Sequence, residues 1–381
     1  MNKATSPTTD GLNQNPMHNK IILNTKVVLT KAQKRAKYTF TDKYQNGKPV
    51  FRVPSGKVIN LESAFAHKRL CDGPTFTMGL LCHFSCSFCY VESLLSRHSA
   101  ITRICKEYGL TADQIVVEKE NPLPILQDQL IDAKGRRRYP DPNDRRVIFA
   151  SPLVDVAANQ ATALQTVAAC RLILENTEWQ IRLLSKSALL KSVAEQLVEF
   201  KHRVIYGLSS GTFDDRLAGS FERGTSSPTA RMRALHWLQD NGFRTFAMIC
   251  PSLPQLDYDG FARDTAERVR VDRCEHVWCE VLNVRGNSLV NTVAALTTNG
   301  FGSEAEQLMQ VSGSKNRDTW EAYARATFQA HAAVVPADKL RFLQYVQKDH
   351  VAWWRGQECR GAVLLGKHVQ NHSVTDGVQT V

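Results

Sequence analysis

Apolar residues in this chain come as short β-rich runs separated by longer amphipathic stretches, an alternation that predicts a parallel sheet with crossover helices. The strands fall at Thr75–Leu80, Arg146–Ser151, Gln180–Lys186, Val204–Ser210, Thr245–Cys250 and His276–Asn283. Between them the spacing predicts helices at Tyr90–Glu107, Ala158–Glu175, Ala188–Phe200, Thr229–Asn241 and Tyr258–Val269. Asn241-Gly242 and Asn299-Gly300 mark helix stops or turns, because both residue types accept the left-handed conformation there. Six strand-helix units give an α/β fold, a partial (β/α)6 barrel of TIM-like type.

That pattern divides the chain. Residues 71–290 carry the barrel, interrupted by an insertion at 110–144 with Pro122, Pro124 and the run Pro140-Asp141-Pro142-Asn143-Asp144. A structureless loop of that length is uncommon in a compact domain and often functional. Residues 20–70, with strand-like pieces at Lys26–Leu29 and Pro49–Val53, are expected to pack on the barrel as an N-terminal extension. Residues 291–370 read as a helical C-terminal extension, through Trp320–Ala333 and Lys339–Val346. Polar residues dominate 1–19 and 371–381, which are expected as a disordered and a loose tail.

The most informative chemistry follows the first strand, in Leu81-Cys82-His83-Phe84-Ser85-Cys86-Ser87-Phe88-Cys89-Tyr90. Three thiolates spaced C-x3-C-x2-C on one short loop can ligate three irons of a 4Fe-4S cluster and leave the fourth open. An open metal site implies turnover. The other reading of the same residues is a zinc knuckle, with His83 or a distant histidine as fourth ligand. Four-cysteine zinc sites come as two C-x2-C pairs, and no second pair follows here: Cys274 and Cys279 have four residues between them, and the remaining cysteines are isolated.

In parallel barrels working residues sit at the C-terminal strand ends. Those ends are polar here: Ser151 and Asp155, Ser185 to Ser187 around Lys186, Ser209 to Thr212, Cys250 to Ser252, and Glu280 to Gly286. A cation for a carboxylate, with acceptors for ammonium and ribose hydroxyls, is what a zwitterionic, ribose-bearing cofactor needs. In Glu222 to Arg231, Ser227 reads as a helix cap with Pro228 in the first turn. The charged Glu222 and Arg231 there either hold a cofactor or order the loop.

These motifs resemble the radical SAM superfamily, and within it the branch of spore photoproduct lyase and its uncharacterised relatives. The resemblance spans Thr75 to Ser288 and rests on Cys82, Cys86, Cys89 and Tyr90, on Ser185-Lys186-Ser187, and on the Ser227-Pro228-x-x-Arg231 stretch with the helix and strand that follow. It implies a 4Fe-4S cluster on the three cysteines and reductive cleavage of S-adenosylmethionine to a 5'-deoxyadenosyl radical that abstracts substrate hydrogen. It further implies Phe88 near the adenine and cofactor contacts from Ser151, Lys186 and Ser210, with Glu222 and Arg231 beside them. Photoproduct lyases carry a hydrogen-donating cysteine near the end of the second strand, where this chain has Phe149-Ala150-Ser151. Tyr90 and Cys250 are the candidates left for hydrogen transfer.

Composition narrows the partners. No apolar run of about 18 residues or secretory leader is present, so a cytoplasmic protein without a membrane span is expected. The absence of a flavin or dinucleotide fingerprint points to a separate flavodoxin or ferredoxin as reductant. A net charge of +11, with basic runs at Lys31–Lys37 and Lys134–Arg146, fits either solvated surface or a nucleic-acid footprint. A nucleic-acid base or lesion, a peptide side chain and a small metabolite all stay open as substrates, and a zinc-stabilised nucleic-acid-binding protein is the alternative from another class.

Overall fold

The computed structural model describes residues 38–313 and 317–370. The expected tails, the strand-like piece 26–29 and the basic run Lys31–Lys37 lie outside these residues.

Among the described residues the first element is the hairpin of β1 (Thr39–Gln45) and β2 (Lys48–Pro54). Its turn is Asn46-Gly47, both at positive φ, the dipeptide whose backbone matches the twist of a two-residue hairpin. After β3 (Ile59–Asn60), the expected first strand is divided into β4 (Thr75–Phe76) and β5 (Gly79–Leu81), with β6 (Ser85–Cys86) inside the cysteine loop. Gly79 sits where the chain crosses between sheets: a Cβ there would lie 3.1 Å from Val154 Cγ1 and 3.3 Å from the Val117 carbonyl.

The insertion is not structureless. It forms β7 (Val116–Glu120) and the helix Pro122–Leu130, and β7 completes a four-stranded sheet in the order β1-β2-β7-β5. The remaining strands are β8 (Val147–Ala150), β9 (Gln180–Ser185), β10 (Val204–Ser209), the short β11 (Glu222–Arg223), β12 (Arg244–Ser252), β13 (Val277–Val281), β14 (Leu340–Tyr345) and β15 (Ala362–Leu365).

The main sheet runs β15-β14-β13-β12-β10-β9-β8-β4-β3, parallel throughout except for the antiparallel edge strand β3. Eight parallel strands therefore replace the six expected. The two extra ones come from the segment expected to be helical, where Leu340, Leu343 and Val346 mimic a helical i, i+3 spacing. A short apolar run does not separate the two periods; Leu340, Phe342 and Leu343 are buried in the sheet. The helices Gly302–Ser312 and Asp318–Val334 precede β14. The expected helix Tyr90–Glu107 is likewise divided into Val91–Leu95 and Ser99–Tyr108.

One face of the main sheet packs on the crossover helices in a large core that includes Ile181, Leu183, Tyr206, Leu208, Ala247, Cys279 and Phe342. On the opposite face, Phe149, Ile205, Phe246, Trp278 and Leu343 pack against Phe65, Leu70 and Cys71 from the segment before β4. Phe65 stacks on Phe149 with centroids 5.5 Å apart, the Trp278 indole donates to the Lys68 carbonyl at 3.0 Å, and Arg182 donates to the Leu70 carbonyl at 2.7 Å. Gly207 makes room for this layer: a Cβ would stand 2.1 Å from the Phe246 ring.

Candidate functional site

The cysteine loop follows β5, which the chain enters from the C-terminal end of the parallel strand β4, and it is fastened on three sides. Its β6 pairs antiparallel with β11, Glu222 opposite Cys86 and Arg223 opposite Ser85. Ser87 donates from its amide to the Phe221 carbonyl at 2.9 Å, and its hydroxyl lies 3.2 Å from that of Thr292. The β1-β2 turn reaches the loop from the other side: Asn46 Nδ2 donates to the His83 carbonyl at 3.4 Å and Lys48 Nζ to the Phe84 carbonyl at 2.8 Å.

So held, Cys82, Cys86 and Cys89 line one cavity of about 660 Å³, together with Lys48, Glu92, Asp113 and Arg223. Burial pushes the Cys89 thiol up to about 12. Burial also raises Cys82 and Cys86, with Asp155 adding to the rise at the first and Glu222 at the second. Such thiols ionise when a cation replaces the proton. Among the described residues no three His, Cys, Asp or Glu side chains converge on a single ion. A cubane asks for less convergence, because each thiolate meets a different iron. The donor set therefore fits a cluster held by three thiolates. His83, the nearest extra ligand in the zinc reading, is buried with Nδ1 3.5 Å from Asn159 Nδ2 and does not line the thiol cavity.

Beside the loop, strand alternation places polar groups further along the strands than the apolar layer of the opposite face. Lys186 Nζ lies 2.6 Å from Glu222 Oε1, 3.0 Å from Ser209 Oγ and 2.9 Å from the Cys250 carbonyl, with the Phe88 ring 5.1 Å away. Glu222, 1% exposed, also pairs with the fully buried Arg231. Arg231 in turn donates to the Ser209 and Ser226 carbonyls. Burial works to raise the Glu222 carboxyl, but Lys186 and Arg231 together hold it below its ordinary value. Two cations share one carboxylate in this network, which ties the loop between Phe221 and Arg231 to the strand ends. Ser227 caps the helix Pro228–Asp240 by accepting from the Ala230 amide.

Ser151 donates to Thr77 Oγ1 at 2.9 Å. Ser210 is fully buried and donates to the Thr212 carbonyl, so its neighbour Ser209 is the serine that joins Lys186. Tyr90 donates to the Pro152 carbonyl at 3.0 Å, and burial raises its phenol. Cys250 Sγ lies 3.9 Å from Glu280 Oε2, and burial with the Glu280 charge pushes its thiol up to about 12. None of Ser151, Lys186, Ser210 and Cys250 lines the thiol cavity; Lys186, Cys250 and Glu280 are joined in a separate row beside the Phe88 ring, while Ser151 and Ser210 bond elsewhere.

Two lysines of this region lie outside the expected set. Lys68 reaches the row from the segment before β4 and sits 3.2 Å from both oxygens of Glu280. Nothing local in sequence marks it. Lys48 stands at the thiol cavity, and only its Asn-Gly turn is readable in advance. Asp155, expected only as a polar strand end, accepts from the Ser185 hydroxyl and the Lys186 amide.

The basic run 134–146 lies elsewhere. It leads into the N-terminal end of β8, and the Gln180 amide at the start of β9 donates to the Arg146 carbonyl. The chain reaches the cysteine loop from the opposite end of the parallel strands. Several of the arginines have neighbours of their own: Arg136 pairs with Asp132, Arg145 with Glu178 and Arg146 with Asp144.

No protein-family model matches the chain. The uncharacterized protein ORF301 of Acidianus two-tailed virus is 23% identical over 248 residues, 64% of this chain and 78% of that protein. Among solved structures, spore photoproduct lyase complexed with dinucleoside spore photoproduct aligns with 65% of this chain at 11% identity and TM-score 0.45; the chain spans 66% of that protein's length. Streptococcus suis SuiB bound to S-adenosylmethionine aligns over 58% of this chain and 44% of its own at 13% identity and TM-score 0.32. Overlaps this loose carry no argument about chemistry, which rests on the residues themselves. Among the described residues no helix is long and apolar enough to cross a membrane.

Proposed function

We propose that the protein is a radical SAM enzyme in which Cys82, Cys86 and Cys89 hold a 4Fe-4S cluster beside an open, singly wound barrel. The single observation that carries this reading is the cavity bounded by three partly buried thiols on one loop at the C-terminal rim of a parallel sheet. Cluster and S-adenosylmethionine, when bound, would supply one-electron cleavage of the sulfonium and a radical able to abstract hydrogen.

The chain's own residues position and shield. The β6-β11 pairing and the Asn46 and Lys48 contacts fix the loop. The Phe88 ring lies 5.1 Å from Lys186 Nζ, and a cofactor's carboxylate would share Lys186 with Glu222. Tyr90 and Cys250, both kept protonated by burial, are our candidates to hand a hydrogen atom to a substrate radical. The electron comes from a separate flavodoxin or ferredoxin, and the compartment is the cytoplasm.

Nucleic acid is the substrate class we favour, on the net charge of +11 and on the exposed Arg223 at the cavity mouth. The run Lys134–Arg146 would act as an outer phosphate contact, since it enters the sheet at the far rim.

Anaerobic reconstitution tests the proposal: it should give about four irons per chain, a broad absorbance at about 400 nm and reductive cleavage of the cofactor. Stoichiometric zinc in a colourless, anaerobically purified protein would instead support the nucleic-acid-binding alternative.

A further inference from the structure

Lys48 is a buried ammonium whose charge has no local carboxylate partner. It is 9% exposed, and among the described residues no carboxylate lies within ion-pair distance of it. Burying a lone cation is costly, and a protein normally neutralises it or pairs it. Burial does lower the Lys48 ammonium, while Cys82, Cys86, Cys89 and Asp113 act to keep it charged.

The approach of this lysine is built rather than incidental. The Asn46-Gly47 turn sets Lys48 opposite Gln45 as the first residue of β2. Asn46 then packs into the space left by Gly224, where a Cβ would lie 2.6 Å from Asn46 Nδ2. Asn46 and Lys48 bind successive carbonyls, His83 and Phe84, midway between the first two cysteines. Lys48 thus lines the same cavity as all three cysteines, with its ammonium fixed on a carbonyl of the loop that carries them.

We infer that Lys48 is a positioning residue that raises the reduction potential of the cluster held by Cys82, Cys86 and Cys89. The inference rests on the cluster reading above. A cluster bound by three thiolates is anionic and gains a further negative charge on reduction, so a nearby buried cation stabilises the reduced form more than the oxidised one. The electron added comes from an external low-potential donor, and no bond at Lys48 is made or broken. The lysine thereby sets how easily a flavodoxin-class donor fills the cluster.

The test is an EPR-monitored redox titration of reconstituted wild-type, Lys48→Gln, Lys48→Met and Lys48→Arg proteins, with iron counted in each. Lys48→Gln keeps a donor for the Phe84 carbonyl and removes the charge. It should be about tenfold harder to reduce at a given poise, a fall of about 59 mV for one electron, with iron content unchanged. Lys48→Met should fall alike, and Lys48→Arg should stay near wild type. A Lys48→Gln midpoint equal to wild type, with full iron, overturns the inference and leaves the cluster standing. Loss of iron from both neutral variants, restored by Lys48→Arg, overturns it in favour of a role in assembly. Wild-type protein that takes up no iron removes the cluster reading and the inference with it.

Discussion

Lys68 and Glu280, 212 residues apart in sequence, form a buried ion pair in which the ammonium stands 3.2 Å from each carboxylate oxygen. Burial works to lower the Lys68 ammonium, yet the Glu280 charge raises it above its ordinary value. Replacing Lys68 with Met should strand the carboxylate and cost about 3–5 kcal/mol, whereas the Lys68→Met/Glu280→Gln pair should recover most of the loss. Urea unfolding of the two singles and the double checks this. A double variant no more stable than either single would mean that the pair does not carry the coupling.

Cys86→Ala should reduce reconstituted iron from about four per chain to background, while Cys359→Ala should leave it unchanged. Cys359 is exposed and distant in sequence from the loop, which makes it the thiol control. Iron analysis on both decides the point.

Acid sensitivity should centre on Glu222. Its folded carboxyl is held below the unfolded value, so its contribution to stability is present above about pH 4.3 and is lost as pH falls further toward the folded value. Glu222→Gln should cost about 3–5 kcal/mol near neutrality and flatten the acid limb of the stability curve. Denaturant midpoints between pH 3 and 7 measure both. An unchanged acid slope would place the sensitivity in another carboxylate.

Gly207→Ala should destabilise by about 1–3 kcal/mol through the Phe246 ring. A smaller residue in place of the ring, as in Phe246→Leu, should make the alanine far better tolerated. Thermal unfolding of the four combinations reads out the coupling.

Substituting Arg136, Arg137 and Arg138 together should weaken nucleic-acid binding and flatten its salt dependence, by a log-log slope of about 0.7 to 0.9 for each phosphate that is no longer neutralised. Cluster assembly should be untouched, because the run enters the sheet at the rim opposite the cysteines. Filter binding at several salt concentrations, beside iron analysis, checks the two halves separately.

The sequence carried the cysteine loop and the alternation of strands and helices because both are local signals: a thiol spacing, and runs long enough to show their period. It misplaced what depends on register or distance. Ser210 and Ser209 differ by one residue, and in a strand one residue is the difference between two faces. Leu340–Tyr345 has too few residues to separate a strand from a helix by spacing, and only its neighbours β13 and β15 settle it. Lys48 and Lys68 come from segments far from the strand ends, so no local pattern ties them to Phe84 or Glu280. Both belong to the part of the chain that reads as packing.

The layer formed by Phe65 and Leu70 against Phe149, Phe246 and Trp278 gives the main sheet a solid floor. Approach to Lys186 and Glu280 from beneath is blocked by these packed side chains, so a molecule that meets them comes from beyond the strand ends.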